Sequence, residues 1–165
     1  MADAYVTALK MLARRELSET QVRTRLARRE FESAEVDAAI ARLLLERALD
    51  DRRTALACAR TEAHLKRHGR LRALRTVEAL GIDRGLAREA VAEVFGEIDE
   101  DALIDHALDR KLRHQPSPKA SAGQAGAAES AVARRLYRYL LAQGFDAGRV
   151  HAVIRNRVKN ALHDD

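Results

Sequence analysis

The sequence predicts an all-α chain built from three tandem repeats of three helices each. Three observations predict it: recurring apolar anchors, capping signals at helix ends, and a lack of the alternating apolar and polar runs that indicate strands. The repeats align on anchors that each lie between two helices: Phe31, Ile82 and Phe145. An apolar residue stands five positions before each anchor: Leu26, Val77 and Leu140. Tandem repeats of this kind bury each other's apolar faces and present extended surfaces to partners.

The first repeat covers residues 1–50, and its three helices follow from apolar spacing and capping. The first helix carries Tyr5, Leu9 and Leu12 on one face. Ser18 and Gln21 have the spacing of a capping box, which predicts the start of the second helix. We expect Ser33 to cap the third helix, whose apolar face is formed by Val36, Ile40, Leu43 and Leu44.

The second repeat covers residues 51–96 and follows the same plan. Its first helix is predicted from Asp51 or Arg52 to about residue 67, before Gly69. Gly81 is expected to end the second helix in the left-handed conformation that glycine adopts at little cost. Asp83 is the expected cap of the third helix.

The third repeat covers residues 97–165 and contains an insertion at about residues 115–126. That segment holds both prolines of the chain and is rich in small residues without apolar periodicity, which indicates a flexible linker. The first two anchors are 51 positions apart and the last two are 63 apart, so the third repeat is longer by 12 positions. The linker therefore predicts an insertion between the first and second helices of this repeat.

The composition indicates a basic protein without an internal disulfide framework. The net charge is +5, from 30 basic and 25 acidic residues, and Cys58 is the single cysteine. No segment approaches the roughly 20 apolar residues of a membrane helix, and residues 1–10 lack an apolar signal core. We expect a soluble, cytoplasmic monomer that makes no membrane contact and needs no cofactor.

Charge is sorted along the chain into three basic stretches, at residues 10–29, 60–75 and 134–159, with acidic stretches at 31–51 and 78–105. These stretches are either solvated helix faces or contacts for phosphate, and arginine suits phosphate because its guanidinium binds oxygen bidentately. The candidate filament- or phosphate-binding residues are Arg14, Arg15, Arg25, Arg28, Arg29, Arg67, Arg70, Arg72, Arg134, Arg135 and Arg138. Their scatter over several helices favours contact with a phosphate backbone or a protein over the reading of base sequence.

No residue pattern predicts catalysis or a metal site. His64 and His68 are four positions apart on a predicted helix, but no cysteine pair or carboxylate cluster completes a ligand set, so we expect exposed histidines. The acidic run Asp99–Asp101 is expected to be exposed and to start a helix. A phosphate-binding glycine loop and a nucleophile–base motif are not found in the sequence, so we expect no enzyme.

Several short motifs, taken in order, make the chain similar to the RecX family of recombination regulators. They are residues 8–15 (ALKMLARR) with Leu17-Ser18-Glu19, Arg25-Leu26 before Phe31, Leu49-Asp50-Asp51 before Ala55, Gly69-Arg70, Leu80-Gly81-Ile82, and residues 141–145 (LAQGF). Each motif is short and degenerate, but together they extend over about residues 4–160. The chain departs from the family pattern in the linker and in its alanine-rich second repeat.

The resemblance implies an elongated, curved array of three-helix repeats and a cytoplasmic modulator of RecA recombinase. Such a modulator binds the RecA–DNA filament, limits its growth and lowers its ATPase and strand-exchange activity, within homologous recombination, DNA repair and the SOS response. The resemblance also makes single- or double-stranded DNA a candidate partner. The resemblance brings no catalytic motif.

The alternative is a DNA-binding protein of the helix-turn-helix type, since capped helices joined by short turns occur there too. A recognition helix should carry Asn, Gln and Arg at its start. The predicted helix starts, such as residues 19–21 and 147–149, lack a cluster of these side chains and are poorly suited to base recognition.

Overall fold

The computed structural model describes the backbone of residues 3–113 and 125–161 and the side chains of residues 3–113 and 131–157. Within these ranges the regular structure is helical. The α-helices are α1 (Ala4–Leu12), α2 (Glu19–Ala27), α3 (Ser33–Leu45), α4 (Asp51–Arg60), α5 (Arg70–Glu78), α6 (Arg84–Phe95), α7 (Glu100–Arg113), α8 (Ala125–Ala142) and α9 (Ala147–Ala161). A π-helical turn, Thr61–Leu65, continues α4. None of these helices has the length and apolar character to cross a bilayer.

The chain divides into two compact units. The N-terminal unit comprises Met1–Thr61 and Leu74–Gly96, and the C-terminal unit comprises Glu62–Ala73 and Glu97–Asp165. The division of the sequence into repeats at residues 50 and 96 stays a prediction. Most of the linker, residues 115–124, lies outside the described residues, whereas residues 125 and 126 already belong to α8.

Each unit is built around apolar residues that the repeat pattern placed inside. In the N-terminal unit, α1, α2 and α3 enclose a core that includes Leu17, Leu26, Ile40 and Leu43. In the C-terminal unit, α7, α8 and α9 enclose a core that includes Ile104, Leu140 and Phe145. Burying one such side chain contributes about 1.5–3 kcal/mol. The residues five positions before the anchors, Leu26, Val77 and Leu140, are fully buried.

Capping follows the sequence with one correction. The capping box of Ser18 and Gln21 is present, and Asp83 accepts hydrogen bonds from the N–H groups of residues 85 and 86. Ser33 does not cap α3 as predicted, because Glu32 occupies the N-cap position and Ser33 is the first helical residue. The Glu32 N–H donates to the Glu35 carboxylate at 3.0 Å, so the third residue of the helix, Glu35, satisfies the backbone of the N-cap residue.

The turn before each anchor contains one residue in the left-handed conformation. Gly81 has φ of 77° and Gly144 has φ of 87°, as expected for glycine. The first repeat has Glu30 at the same position with φ of 63°. A side chain in this conformation costs about 1–2 kcal/mol, so the first turn is strained where the other two are not.

The start of one repeat's second helix docks on the turn of the following repeat, and it does so twice at the same register. In the N-terminal unit, Ser18 Oγ donates to the Leu80 carbonyl at 2.5 Å and Thr20 Oγ1 donates to the Gly81 carbonyl at 2.9 Å. In the C-terminal unit, the N–H groups of residues 69 and 71 donate to the carbonyls of residues 143 and 144, both at 3.0 Å. Residues 18 and 69 are 51 positions apart, and residues 80 and 143 are 63 apart, which are the anchor spacings.

Candidate functional site

A groove rich in cations lies between α1 and α2 of the N-terminal unit. Its volume is about 740 Å³, and Thr7 and Met11 form part of its wall. The remaining lining residues are all basic: Lys10, Arg14, Arg15, Arg25, Arg28 and Arg29. We call this concavity the basic groove. It brings together the five arginines predicted from the first basic stretch and adds Lys10.

The basic groove is formed where two helices end on the same side. Arg14 follows α1, and its N–H donates to the Met11 carbonyl at 3.2 Å. Arg28 is the C-cap residue of α2, and the Arg29 N–H donates to the Leu26 carbonyl at 2.9 Å. The negative end of a helix dipole lies at its C-terminus and stabilises cations there by about 0.3–1 kcal/mol each. Local structure therefore offsets part of the repulsion between these side chains.

The cations of the basic groove have no carboxylate partner among the described residues. Other arginines of the same unit do: Arg23 binds Glu19 at 2.7 Å, Arg52 binds Glu93 at 2.6 Å and Arg53 binds Glu16 at 2.9 Å. Acidic side chains of the N-terminal unit are thus used elsewhere. A concentration of uncompensated positive charge attracts anions and speeds association with anionic partners. The charge of the groove therefore suits a phosphate or carboxylate of another molecule.

The basic groove is a property of the first repeat. The anchor spacing aligns Arg25, Arg28 and Arg29 with uncharged residues of the second repeat: Thr76, Ala79 and Leu80. It aligns the same arginines with uncharged residues of the third repeat: Tyr139, Ala142 and Gln143. Aligning the three repeats would therefore have distinguished the first basic stretch from the other two.

A shallower depression of about 300 Å³ continues the basic surface within the N-terminal unit. It shares Arg25 and Arg28 with the basic groove and reaches the turn that contains Gly81. Thr20 and Thr24 lie along its wall. Both hydroxyl groups donate to backbone carbonyls, that of Thr20 to Gly81 and that of Thr24 to Thr20, so the guanidinium groups are the donors that this depression offers to an anion.

The second basic stretch makes contacts within the protein. Arg67 contacts the imidazole of His106. Arg70 Nε lies 3.3 Å from an oxygen of Glu100. Arg72 Nη1 donates to the Ala142 carbonyl at 3.4 Å. Their role in filament binding stays a prediction.

Two expectations about charged residues are wrong for the same reason. Glu100 was expected to be exposed, but it is buried and pairs with Arg70. His68 was expected to be exposed, but it is half-buried, and its Nδ1 lies 2.6 Å from Glu62 Oε2. In both cases a buried carboxylate meets a nitrogen-bearing side chain whose residue lies beside or within residues 69–72, which dock on the turn of the third repeat. Sequence reasoning missed these pairs because their members come from different helices or from a π-helical turn.

Glu62 is the most deeply buried charged side chain of that region. Its exposed fraction is 2 %, and its second oxygen lies 2.6 Å from Lys66 Nζ. Burial alone would raise the pKa of Glu62, but hydrogen bonds from His68 and Lys66 lower the pKa overall. The ionised carboxylate therefore stabilises the folded protein. Among the described residues, no three His, Cys, Asp or Glu side chains group in a way that could hold a metal ion.

The predicted residues of the third basic stretch do not all line the same concavity. Arg134 and Arg138 line a separate concavity between α8 and α9, which we call the α8–α9 groove. Arg135 is not part of its lining, and it is engaged in an interaction of its own. The predicted residues of the third stretch are thus brought together only in part.

Comparison with known proteins supports a resemblance that the motifs predicted. Residues 4–43 match the family model described as RecX, first three-helix domain. The fold is similar to the crystal structure of RecX from Lactobacillus salivarius, with a TM-score of 0.70 and 17 % identity over 93 % of each chain. It is also similar to a crystal structure of regulatory protein RecX, with a TM-score of 0.73 and 19 % identity over 93 % of this chain and 70 % of the other.

No curated protein sequence matches the chain. The family model confirms the resemblance to the RecX family over residues 4–43, and the two crystal structures confirm the all-α fold of tandem three-helix repeats.

Proposed function

We propose that this protein is a cytoplasmic, non-catalytic regulator that binds the RecA–DNA filament and limits its growth, ATPase activity and strand exchange. The RecX resemblance of residues 4–43 and the similarity of the fold support this function. The structural observation that carries it is the basic groove, where six cations lack a carboxylate partner among the described residues.

The basic groove fits the backbone of a nucleic acid held in a filament better than it fits a small anion. It is about 740 Å³ in volume and is lined by six cations from two helix ends, more than a single small anion neutralises. Arginines spread along a concavity neutralise successive phosphates and release counterions, which gives strong, salt-dependent binding without sequence preference. A regulator of a filament that forms on any sequence needs this kind of contact.

The helix-turn-helix alternative has less support. In such proteins the N-terminal residues of the recognition helix contact the bases of the major groove. The start of α3 carries Glu32, Glu35 and Asp37, which are exposed and would repel phosphates. The cations lie instead at the C-terminal ends of α1 and α2, where they contact a backbone more readily than base edges.

The proposed function is tested by the ATPase activity of RecA on circular single-stranded DNA. We expect the rate to fall at protein concentrations well below that of RecA, because blocking a growing filament end needs fewer molecules than coating the filament. An unchanged rate at equimolar protein would contradict the proposal.

A further inference from the structure

The α8–α9 groove of the C-terminal unit differs in character from the basic groove. Its volume is about 630 Å³, and Ala133, Tyr137 and Ile154 give it an apolar floor. Tyr137 and Ile154 are half-buried because they also pack on the third-repeat core. The groove is therefore a preformed apolar cleft that remains open on one side.

Three cationic or titratable side chains form the rim of this cleft. Arg134 and Arg138 are exposed and one helical turn apart on α8, and His151 is exposed on α9. Side chains at this spacing lie on one helix face, about 5–6 Å apart at their Cβ atoms. Two guanidinium groups thus flank the apolar floor from the same side.

Two other arginines of α9 pair with carboxylates. Arg149 Nη1 lies 3.0 Å from Asp101 Oδ1, and Arg157 pairs with Asp109. Both acids belong to α7. The rim arginines Arg134 and Arg138, in contrast, have no carboxylate partner in the described part of the chain. Arg149 and Arg157 are thus compensated by carboxylates of α7, whereas the two rim arginines are not compensated within the described residues.

We propose that the α8–α9 groove binds an acidic segment of a protein partner, which inserts one aliphatic or aromatic side chain against Tyr137 and Ile154. Carboxylates on either side of that anchor bind Arg134 and Arg138. An apolar anchor in a pocket, surrounded by complementary charge, is the arrangement that concentrates binding energy in protein interfaces. The charge pairs add specificity and steer the encounter.

A protein segment fits this cleft better than a nucleic acid does. The floor is partly aliphatic, and the Tyr137 ring is half-buried, so little aromatic face is open for base stacking. The rim offers two guanidinium groups and one imidazole, whereas the basic groove offers six cations along its wall. Interfaces with nucleic acids are more polar and more positively charged than interfaces with proteins.

The inference rests on the proposed function in one respect, because the partner tested is the RecA protomer within the filament. A photocrosslinking amino acid, p-benzoylphenylalanine, replaces His151 on the rim of the cleft. A matched control carries it at Asn156, which is exposed on α9 and lines a different concavity beside α7. Each variant is bound to preformed RecA filaments on single-stranded DNA, irradiated, and mapped by mass spectrometry.

We expect crosslinks from position 151 to one RecA segment that contains an apolar residue flanked by acidic residues, and no such crosslinks from position 156. Crosslinks from position 151 to DNA or to a segment without acidic residues would overturn the inference. So would the absence of a crosslink from a variant that still suppresses the ATPase.

Charge reversal supplies an independent readout. We expect R134E/R138E to weaken binding to the filament at least tenfold while leaving binding to protein-free single-stranded DNA unchanged. The control R84E/R88E makes the same charge change on exposed residues of α6 and should bind like the unmodified protein. If the unmodified protein does not suppress the ATPase, the proposed function fails. If it does and R134E/R138E binds the filament as tightly, this inference alone fails.

Discussion

Replacing Gly69 with alanine should destabilise the protein, although the same exchange usually stabilises a chain. At a position whose conformation alanine can adopt, Gly→Ala stabilises by about 0.4–1 kcal/mol through the unfolded state. At Gly69, however, a Cβ atom would lie 2.4 Å from the carbonyl carbon and oxygen of Gly144 and 2.5 Å from the Phe145 nitrogen. These are backbone atoms, so the two segments must separate.

The expected cost comes from the hydrogen bonds and the packing that this separation disrupts. The N–H groups of residues 69 and 71 donate to the carbonyls of residues 143 and 144, and each bond contributes about 0.5–1.5 kcal/mol. Loosened packing beside the fully buried Phe145 adds to the cost. We expect the free energy of unfolding to fall by about 2–4 kcal/mol in total, allowing for the packing of one partly displaced apolar side chain.

Urea unfolding followed by circular dichroism at 222 nm measures this decrease. Gly148→Ala is the matched control, because Gly148 lies in the first turn of α9 and its Cβ would meet only the Asp146 carboxylate, at 3.2 Å. Alanine is the better helix former, but its Cβ would press on the oxygen of Asp146 that caps α9, so this control should change the free energy of unfolding by less than about 1 kcal/mol. A G69A protein as stable as the unmodified one would refute the docking of residues 69–72 on the turn at Gly144.

Three further predictions concern single side chains. Glu30→Gly should raise the free energy of unfolding by about 0.5–1 kcal/mol, because glycine adopts the left-handed conformation without strain. Glu30→Ala keeps the Cβ atom and should not raise the free energy of unfolding. Chemical denaturation of both variants checks this difference. Ser18→Ala should lower the free energy of unfolding by about 1–2 kcal/mol, because it removes a helix cap and the hydrogen bond to the Leu80 carbonyl. A decrease smaller than the error of urea unfolding would be inconsistent with that contact. Because the folded pKa of Glu62 is lowered, its stabilising contribution is complete above the ordinary glutamate value of 4.5 and is lost as pH falls below that value. Thermal midpoints should therefore fall less steeply with acid in Glu62→Gln than in the unmodified protein, and parallel curves would contradict the assignment.

The sequence predicted the repeat and most helix boundaries because these depend on local signals. Apolar spacing located Leu26, Val77 and Leu140 in the cores, and Gly81 located one of the three left-handed turns. The turn at Glu30 was missed because glutamate seldom adopts this conformation.

The sequence predicted which residue types form the candidate site, but not how they are arranged in space. Counting charge identified three basic stretches, yet it could not show that Arg70 faces Glu100 while Arg28 faces no carboxylate within the described ranges. That difference depends on contacts between residues far apart in sequence. The buried Glu62–His68 pair was hidden for a related reason, since a π-helical turn changes which side chains point inward.

The central claim is that the basic groove contacts the RecA–DNA filament. Its most direct test is the affinity of R25E/R28E for that filament across a range of salt concentrations, compared with R84E/R88E, which makes the same charge change elsewhere in the N-terminal unit. We expect R25E/R28E to bind more weakly and with a salt slope smaller by about 1.4, since each lost phosphate contact on a single strand contributes about 0.7. The R84E/R88E control should keep both the affinity and the slope of the unmodified protein. If R25E/R28E remains folded and retains both, the groove is a solvated surface and the account is wrong.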